Sequence, residues 1–269
     1  MFWKKRLLVQ VLLMRNKCQN NSMEIQNIYT IISNEALTAT TYKMVVSGYT
    51  GNITAPGQFV NIKLSGNFLR RPISICDWSE DTITLIYKVV GIGTRQMSEM
   101  LPGEKLDMLT GLGNGFSLDI PKMKHPLLIG GGVGVPPLYA LAKKLKEQGC
   151  RPTMIMGFNT ADEVFYFDEF KALDIETIVS TVDGSGGIKG FVTDAMEKSC
   201  VLFDYTYCCG PLPMLKAIYE ATYIDGQFSF EERMGCGFGA CMGCTCKTKS
   251  GNKRICKEGP ILYKDDIIF

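Results

Sequence analysis

The sequence predicts an antiparallel β barrel, then an α/β domain, then a small cysteine-rich C-terminal module. Three observations predict this. From Met23 to about Pro121, short runs rich in β-branched and aromatic residues alternate with Gly- and Asn-containing turns, the pattern of a small barrel. From Pro126, strand-like apolar runs alternate with amphipathic helical ones, which gives a parallel sheet with helices packed on it. After Gly226 comes a stretch that holds Cys236, Cys241, Cys244, Cys246 and Cys256. The implied divisions are 1–22, an extension outside the fold; 23–121, the barrel; 122–225, the α/β domain; and 226–269, the terminal module.

The extension, MFWKKRLLVQVLLMRNKCQNNS, has a short apolar stretch, Leu7–Met14, broken by Gln10. Arg15–Asn16–Lys17 is no signal-peptide cleavage site. A basic amphipathic helix lying on a membrane is one reading; an added segment or misplaced start is the preferred one. In the barrel, strands are expected at Thr41–Val46, Gln58–Leu64, Ile73–Ile75 and Thr82–Val90, with one helical turn at Arg95–Met100. In the next domain Leu127–Ile129 is a buried strand, and a helix starts at Pro136–Pro137, where proline suits the first helical position. Leu138, Leu141, Ala142 and Leu145 form its apolar face, and Gly149 ends it. Strands Thr153–Gly157, Glu176–Ser180 and Phe203–Cys208 then alternate with helices at Asp162–Leu173, Val192–Lys198 and Leu212–Tyr223.

Composition narrows the function. The net charge of +2 argues against a nucleic-acid partner. No run approaches the ~18 apolar residues that cross a membrane. Eleven cysteines without a signal peptide point to a reducing cytoplasm. His125, the one histidine, precedes a proline at the start of a strand. That leaves little room for histidine base or histidine metal chemistry.

The cysteines read C-x4-C-x2-C, with a fourth after eleven residues. This is the plant-type ferredoxin order, and four thiolates suit a [2Fe-2S] cluster. Gly235, Gly237, Gly239, Ala240 and Gly243 make the first loop small enough to wrap one. A zinc site would normally show a second C-x2-4-C knuckle. A disulfide framework belongs to small secreted chains, and buried inert thiols would not bunch among small residues. The ligands are expected to be Cys236, Cys241, Cys244 and Cys256. Cys246 could replace Cys244, but the recurring spacing favours Cys244.

Two further motifs stand at strand ends. Gly130, Gly131, Gly132 and Gly134 follow the first strand of the parallel sheet. There glycines let a phosphate approach a helix N-terminus; a tight structural turn explains them equally well. Cys209–Gly210–Pro211 ends the fourth strand on the same edge, with a buried thiol as the plain alternative for Cys209. Arg70–Arg71–Pro72–Ile73–Ser74 opens a barrel strand. It is either a solvated basic face or a cation and hydroxyl set for a phosphate-bearing ligand.

Barrel with R-P-x-S, Gly-rich α/β domain with C-G-P, and cysteine tail in that order resemble the ferredoxin reductase family. Within it, the chain is similar to electron-transfer subunits of class 1B dihydroorotate dehydrogenases, which serve pyrimidine biosynthesis. The resemblance covers Met23 to Phe269 and implies FAD on the barrel, NAD as co-substrate on the α/β domain, and a [2Fe-2S] cluster on the tail. By resemblance Arg71, Pro72, Ile73 and Ser74 contact FAD, with Arg71 on the pyrophosphate and Ser74 near flavin N5. Ile86, Tyr87 and Lys88 supply a second FAD segment, Gly93 and Thr94 a third, and Cys209 lies near the nicotinamide. Gly130, Gly131, Gly132, Gly134, Gly210 and Pro211 fall to NAD. It also implies an FMN-containing partner that oxidises dihydroorotate, assembled as two copies of each subunit. Subunits of ferredoxin-dependent NAD(P) oxidoreductases or sulfide dehydrogenases are the nearest alternative, although they tend to replace one cluster Cys by Asp. A non-enzymatic iron–sulfur regulator is the alternative of another class.

Overall fold

A computed structural model describes residues 25–269. The expectation for 1–22 lies outside the described residues. Six strands close an antiparallel barrel: β1 (Gln26–Ala36), β2 (Thr41–Ser47), β3 (Phe59–Lys63), β4 (Arg71–Trp78), β5 (Thr82–Lys88) and β6 (Lys105–Leu112), in the order β1-β2-β5-β4-β3-β6. Alternation fills the barrel: Val60, Ile62, Leu85 and Tyr87 point inward with Tyr29, Met44 and Met97. A short helix, α1 (Ile92–Glu99), follows β5. The sequence pattern did not single out β1 or β6, and β4 runs well past the expected Ile73–Ile75.

Pro72 in β4 sits opposite Asn61 in β3. Proline has no N–H to donate there. Instead Arg70 Nη1 reaches the Asn61 carbonyl at 3.4 Å and the Asp107 carboxylate at 2.8 Å. Arg70 is thus a ladder clamp, while Arg71 faces elsewhere.

The second domain is built from β7 (Pro126–Gly131), α2 (Pro137–Glu147), β8 (Thr153–Phe158), α3 (Phe167–Ala172), β9 (Glu176–Thr181), β10 (Ile188–Lys189), α4 (Val192–Ser199), β11 (Tyr205–Cys209) and α5 (Leu212–Ala221). Its sheet runs β10-β9-β8-β7-β11-β12-β15, where β12 is Gly226–Ser229 and β15 is Ile261–Tyr263. All pairs are parallel except β12 with β15. The chain leaves β7 toward β8 on one side and returns to β11 on the other, so the switch point falls at the carboxyl ends of β7 and β11. The expected division at 225 and 226 therefore precedes a strand that completes this sheet.

One expected helix is corrected. Asp162–Leu173 forms a 3₁₀ turn at Ala161–Glu163 and then α3, with Tyr166 left-handed at φ 65° between them. Phe165 and Tyr166 are both buried, and the Tyr166 hydroxyl bonds to Cys76 of β4. Burying two adjacent aromatics takes the chain off the helical path. The same apolar cluster joins Cys76 and Ile86 of the barrel to Leu138 and Leu141 of α2. A second joins Phe59, Leu109 and Leu112 to the sheet and to Cys244, Ile255 and Cys256. The hairpin β13 (Thr245–Thr248) and β14 (Gly251–Arg254) completes the fold.

Candidate functional site

A cavity of about 860 Å³ opens between barrel and sheet, a size ordinary for cofactor sites. Its barrel wall includes Phe59, Arg71, Pro72, Ile73, Ser74, Ile86, Tyr87, Lys88 and Thr94. Its sheet wall includes Gly131, Gly132, Gly134, Cys209, Gly210 and Pro211. The β-barrel motif and the two switch-point motifs thus meet around one space.

Several residues are placed by specific contacts. Arg71 is held by the Asn67 side chain, 2.5 Å from Nη2, and by the Leu69 carbonyl. A Cβ on Gly93 would strike the Arg71 guanidinium, so glycine lets the arginine lie flat against α1. Thr94 Oγ1 accepts from the Val90 N–H at 2.9 Å and fixes the start of that helix. Tyr87 commits its side chain to the barrel interior, where its hydroxyl donates to Asn34 Oδ1 at 2.9 Å. Lys88 turns to the other domain: Nζ is 2.9 Å from Glu163 Oε1, and the same carboxylate accepts from the Asn159 side chain at 2.8 Å.

On the sheet side the glycines divide their work. Gly134 lies so close to the Cys209 carbonyl that a Cβ would overlap it. Gly132 is left-handed at φ 52°, with open space where a side chain would be. Gly130 does not line the cavity; it packs on Val135, where a Cβ would come within 2.9 Å. Cys209 is buried, and burial pushes its thiol up to about 12, against a hydrogen bond with Ser229. At neutral pH it stands in the cavity wall as a neutral thiol.

The four expected cluster ligands come together as two pairs. The Cys236 and Cys241 thiols are hydrogen-bonding neighbours, and so are those of Cys244 and Cys256. Backbone N–H groups point at the sulfurs. Ala240 and Cys241 donate to Cys236 Sγ at 3.2 and 3.4 Å. Cys236 and Gly243 donate to Cys241 Sγ at 3.4 and 3.5 Å, and Cys256 donates to Cys244 Sγ at 3.4 Å. Burial opposes ionisation of Cys236, but these donors outweigh it and hold its thiol well below the ordinary value. Among the described residues, no three His, Cys, Asp or Glu side chains converge on a single ion. Two thiol pairs with N–H donors suit a two-iron centre, with two ligands per iron, better than one tetrahedral ion.

Cys246 lies in β13 opposite Lys253, half-buried, and takes no part in either thiol pair. Cys256 falls in the turn after β14. That turn is tied down by residues the sequence reading missed. Arg254 Nη1 donates to the Gly239 carbonyl at 2.7 Å, and its Nε donates to Glu258 at 2.9 Å. Asn114 Nδ2 donates to the Glu258 and Ile261 carbonyls at 3.1 and 2.8 Å. None of these pairs has a motif, because their partners are set by the fold.

A cavity shared by barrel and switch point, beside a paired-thiol loop, defines an electron-transfer oxidoreductase. Known proteins agree. The family described as the iron–sulfur cluster binding domain of dihydroorotate dehydrogenase B matches residues 231–268, and the oxidoreductase NAD-binding domain matches residues 128–220. The Fusobacterium nucleatum protein named dihydroorotate dehydrogenase B (NAD(+)), electron transfer subunit, is 45% identical over 251 residues, 88% of this chain and 96% of the relative. A Geobacillus protein of the same name is 43% identical over 256 residues, 91% of this chain and 99% of the relative. A solved NADH-dependent reduced ferredoxin-NADP oxidoreductase, described in terms of flavin-based electron bifurcation, superposes with a TM-score of 0.81 at 30% identity, covering 90% of each chain. The chain belongs to the family of dihydroorotate dehydrogenase B (NAD(+)) electron transfer subunits.

Proposed function

We propose that this chain carries one FAD and one [2Fe-2S] cluster and passes electrons between a catalytic partner and NAD. The observation that carries the reading is the adjacency of the paired-thiol loop to a cavity walled by both Arg71–Ser74 and the switch-point glycines. When bound, FAD supplies the exchange between the one-electron chemistry of the cluster and the two-electron chemistry of the nicotinamide.

The chain's own residues bind and orient. Arg71 offers a guanidinium, preset by Asn67, to a pyrophosphate. Ser74 offers a hydroxyl to the polar edge of the flavin ring. Gly131, Gly132 and Gly134 open the backbone toward a dinucleotide phosphate. Gly210 and Pro211 shape the opposite lip, and Cys209 presents a compact neutral thiol to the nicotinamide. Cys236 with Cys241, and Cys244 with Cys256, hold the cluster. The partner is a catalytic subunit that carries FMN and oxidises dihydroorotate, in an assembly of two copies of each. Ten free cysteines among the described residues support a reducing cytoplasm, and among those residues no helix is long and apolar enough to cross a membrane.

Co-purification from the native source tests the reading. Released cofactors, iron and labile sulfide should give FAD and a two-iron centre on this chain, with an FMN-bearing protein bound to it. NADH should reduce the flavin. A preparation without flavin, or with zinc in the thiol site, would refute the proposal.

A further inference from the structure

We propose that Asn61 is a positioning residue on the path between the flavin cavity and the cluster. Its side-chain amide holds the peptide after Cys236 against the barrel strand that walls the cavity. The inference rests on FAD in the cavity and a cluster on the four thiols.

Asn61 lies on the outer face of β3 and is 1% exposed. Phe59, two residues earlier on the same face, lines the cavity and packs in one cluster with Cys244 and Cys256. Pro72, its cross-strand partner, also lines the cavity. From this position Asn61 Nδ2 donates to the Cys236 carbonyl at 3.2 Å. The next residue, Gly237, has φ 82°, and a Cβ there would collide with Nδ2. The Cys236 segment therefore touches the barrel through this amide and touches the sulfurs through its own N–H on Cys241 Sγ.

Stability does not account for an asparagine here. Its Oδ1 is buried and has no hydrogen-bond partner. An unsatisfied buried acceptor is destabilising, so this amide carries a cost alongside its bond to Cys236. What leucine cannot do is donate to the Cys236 carbonyl. Hydrogen bonding around cluster sulfurs sets their reduction potential, so an amide that anchors Cys236, whose own N–H donates to Cys241 Sγ, acts on the electron step.

The test uses the enzyme purified with its partner, as wild type, Asn61→Leu and Asn61→Ser. Iron, sulfide and FAD contents are measured first, then the EPR spectrum of the reduced cluster, then stopped-flow reduction by NADH. Both variants should keep full cofactor content and a normal rate of FAD reduction. Their cluster EPR signal should shift, and cluster reduction should slow about tenfold, the lower end of what second-shell changes cost. Fully loaded variants with an unchanged signal and rate would overturn the role of Asn61 alone. Loss of iron from both variants would assign Asn61 to loop assembly and overturn it too. A wild-type enzyme without flavin or cluster would instead bring down the functional reading on which it rests.

Discussion

Cys244 and Cys246 stand two residues apart and end in different surroundings. Cys244 is buried against Cys256, whereas Cys246 is half-buried on the hairpin opposite Lys253. Replacing Cys241 by Ser should therefore abolish the visible cluster bands, and replacing Cys246 by Ser should leave them intact; absorption spectra and iron content check both. On the proposed FAD site, Arg71→Ala would remove a charge-assisted phosphate contact and should weaken FAD retention by about 1.5–3 kcal/mol, read by flavin release on dilution. That these motifs belong to a site was legible in the sequence because each is local, and the structure brings R-P-x-S and C-G-P around one cavity. The cluster spacing, R-P-x-S and C-G-P all carry their meaning within a few residues. Asn61 was not legible: its partner Cys236 is 175 residues away. Nothing around an Asn-Ile-Lys strand announces that contact.

At the scale of elements, strands and helices with clean periodicity fell where expected. The exceptions include β1 and β6, which the sequence pattern did not single out, β4, which outruns its expected range, and the segment before α3, where burial of Phe165 and Tyr166 overrides helical propensity. The turn that carries Cys256 is held by Arg254 and Glu258. Arg254 holds the Glu258 carboxyl at about 2, down from 4.5. A depressed carboxylate stabilises the folded chain fully above the unfolded value and loses that effect as pH falls toward the folded one. The melting temperature of wild type should thus exceed that of Glu258→Gln at pH 7, and the gap should narrow between about pH 4.5 and 2. Thermal melts of the pair across that range check it. A gap independent of pH would assign the glutamate a packing role only.

For the whole molecule, the charges lining the cleft between domains predict a nucleotide preference. The segment after β8 carries Asp162 and Glu163 and no cation, which the sequence alone shows. What it does not show is that Lys88 crosses from the barrel to Glu163, a partner 75 residues on. With its ammonium engaged, Lys88 is not free to meet a ribose phosphate. NADH should be preferred over NADPH by at least about tenfold in kcat/KM, or about 1.4 kcal/mol. Glu163→Gln should narrow that preference by releasing Lys88, and diaphorase assays with both nucleotides measure it. Equal use of NADPH by the wild type would reverse the assignment.

The terminal module leaves the sheet at β12 and returns at β15. Ser229 faces Ile261, and the Phe230 N–H donates to the Pro260 carbonyl at 2.8 Å. Both ends of the cysteine lobe are therefore stitched side by side by main-chain bonds, and the sheet bears part of the entropy of closing the lobe. The expected order of maturation is that the chain finishes folding and accepts its flavin first, then receives iron and sulfide into the closed lobe. Metal-free protein should melt as cooperatively as the loaded form by far-UV circular dichroism, and supplying iron and sulfide afterwards should restore the bands without refolding.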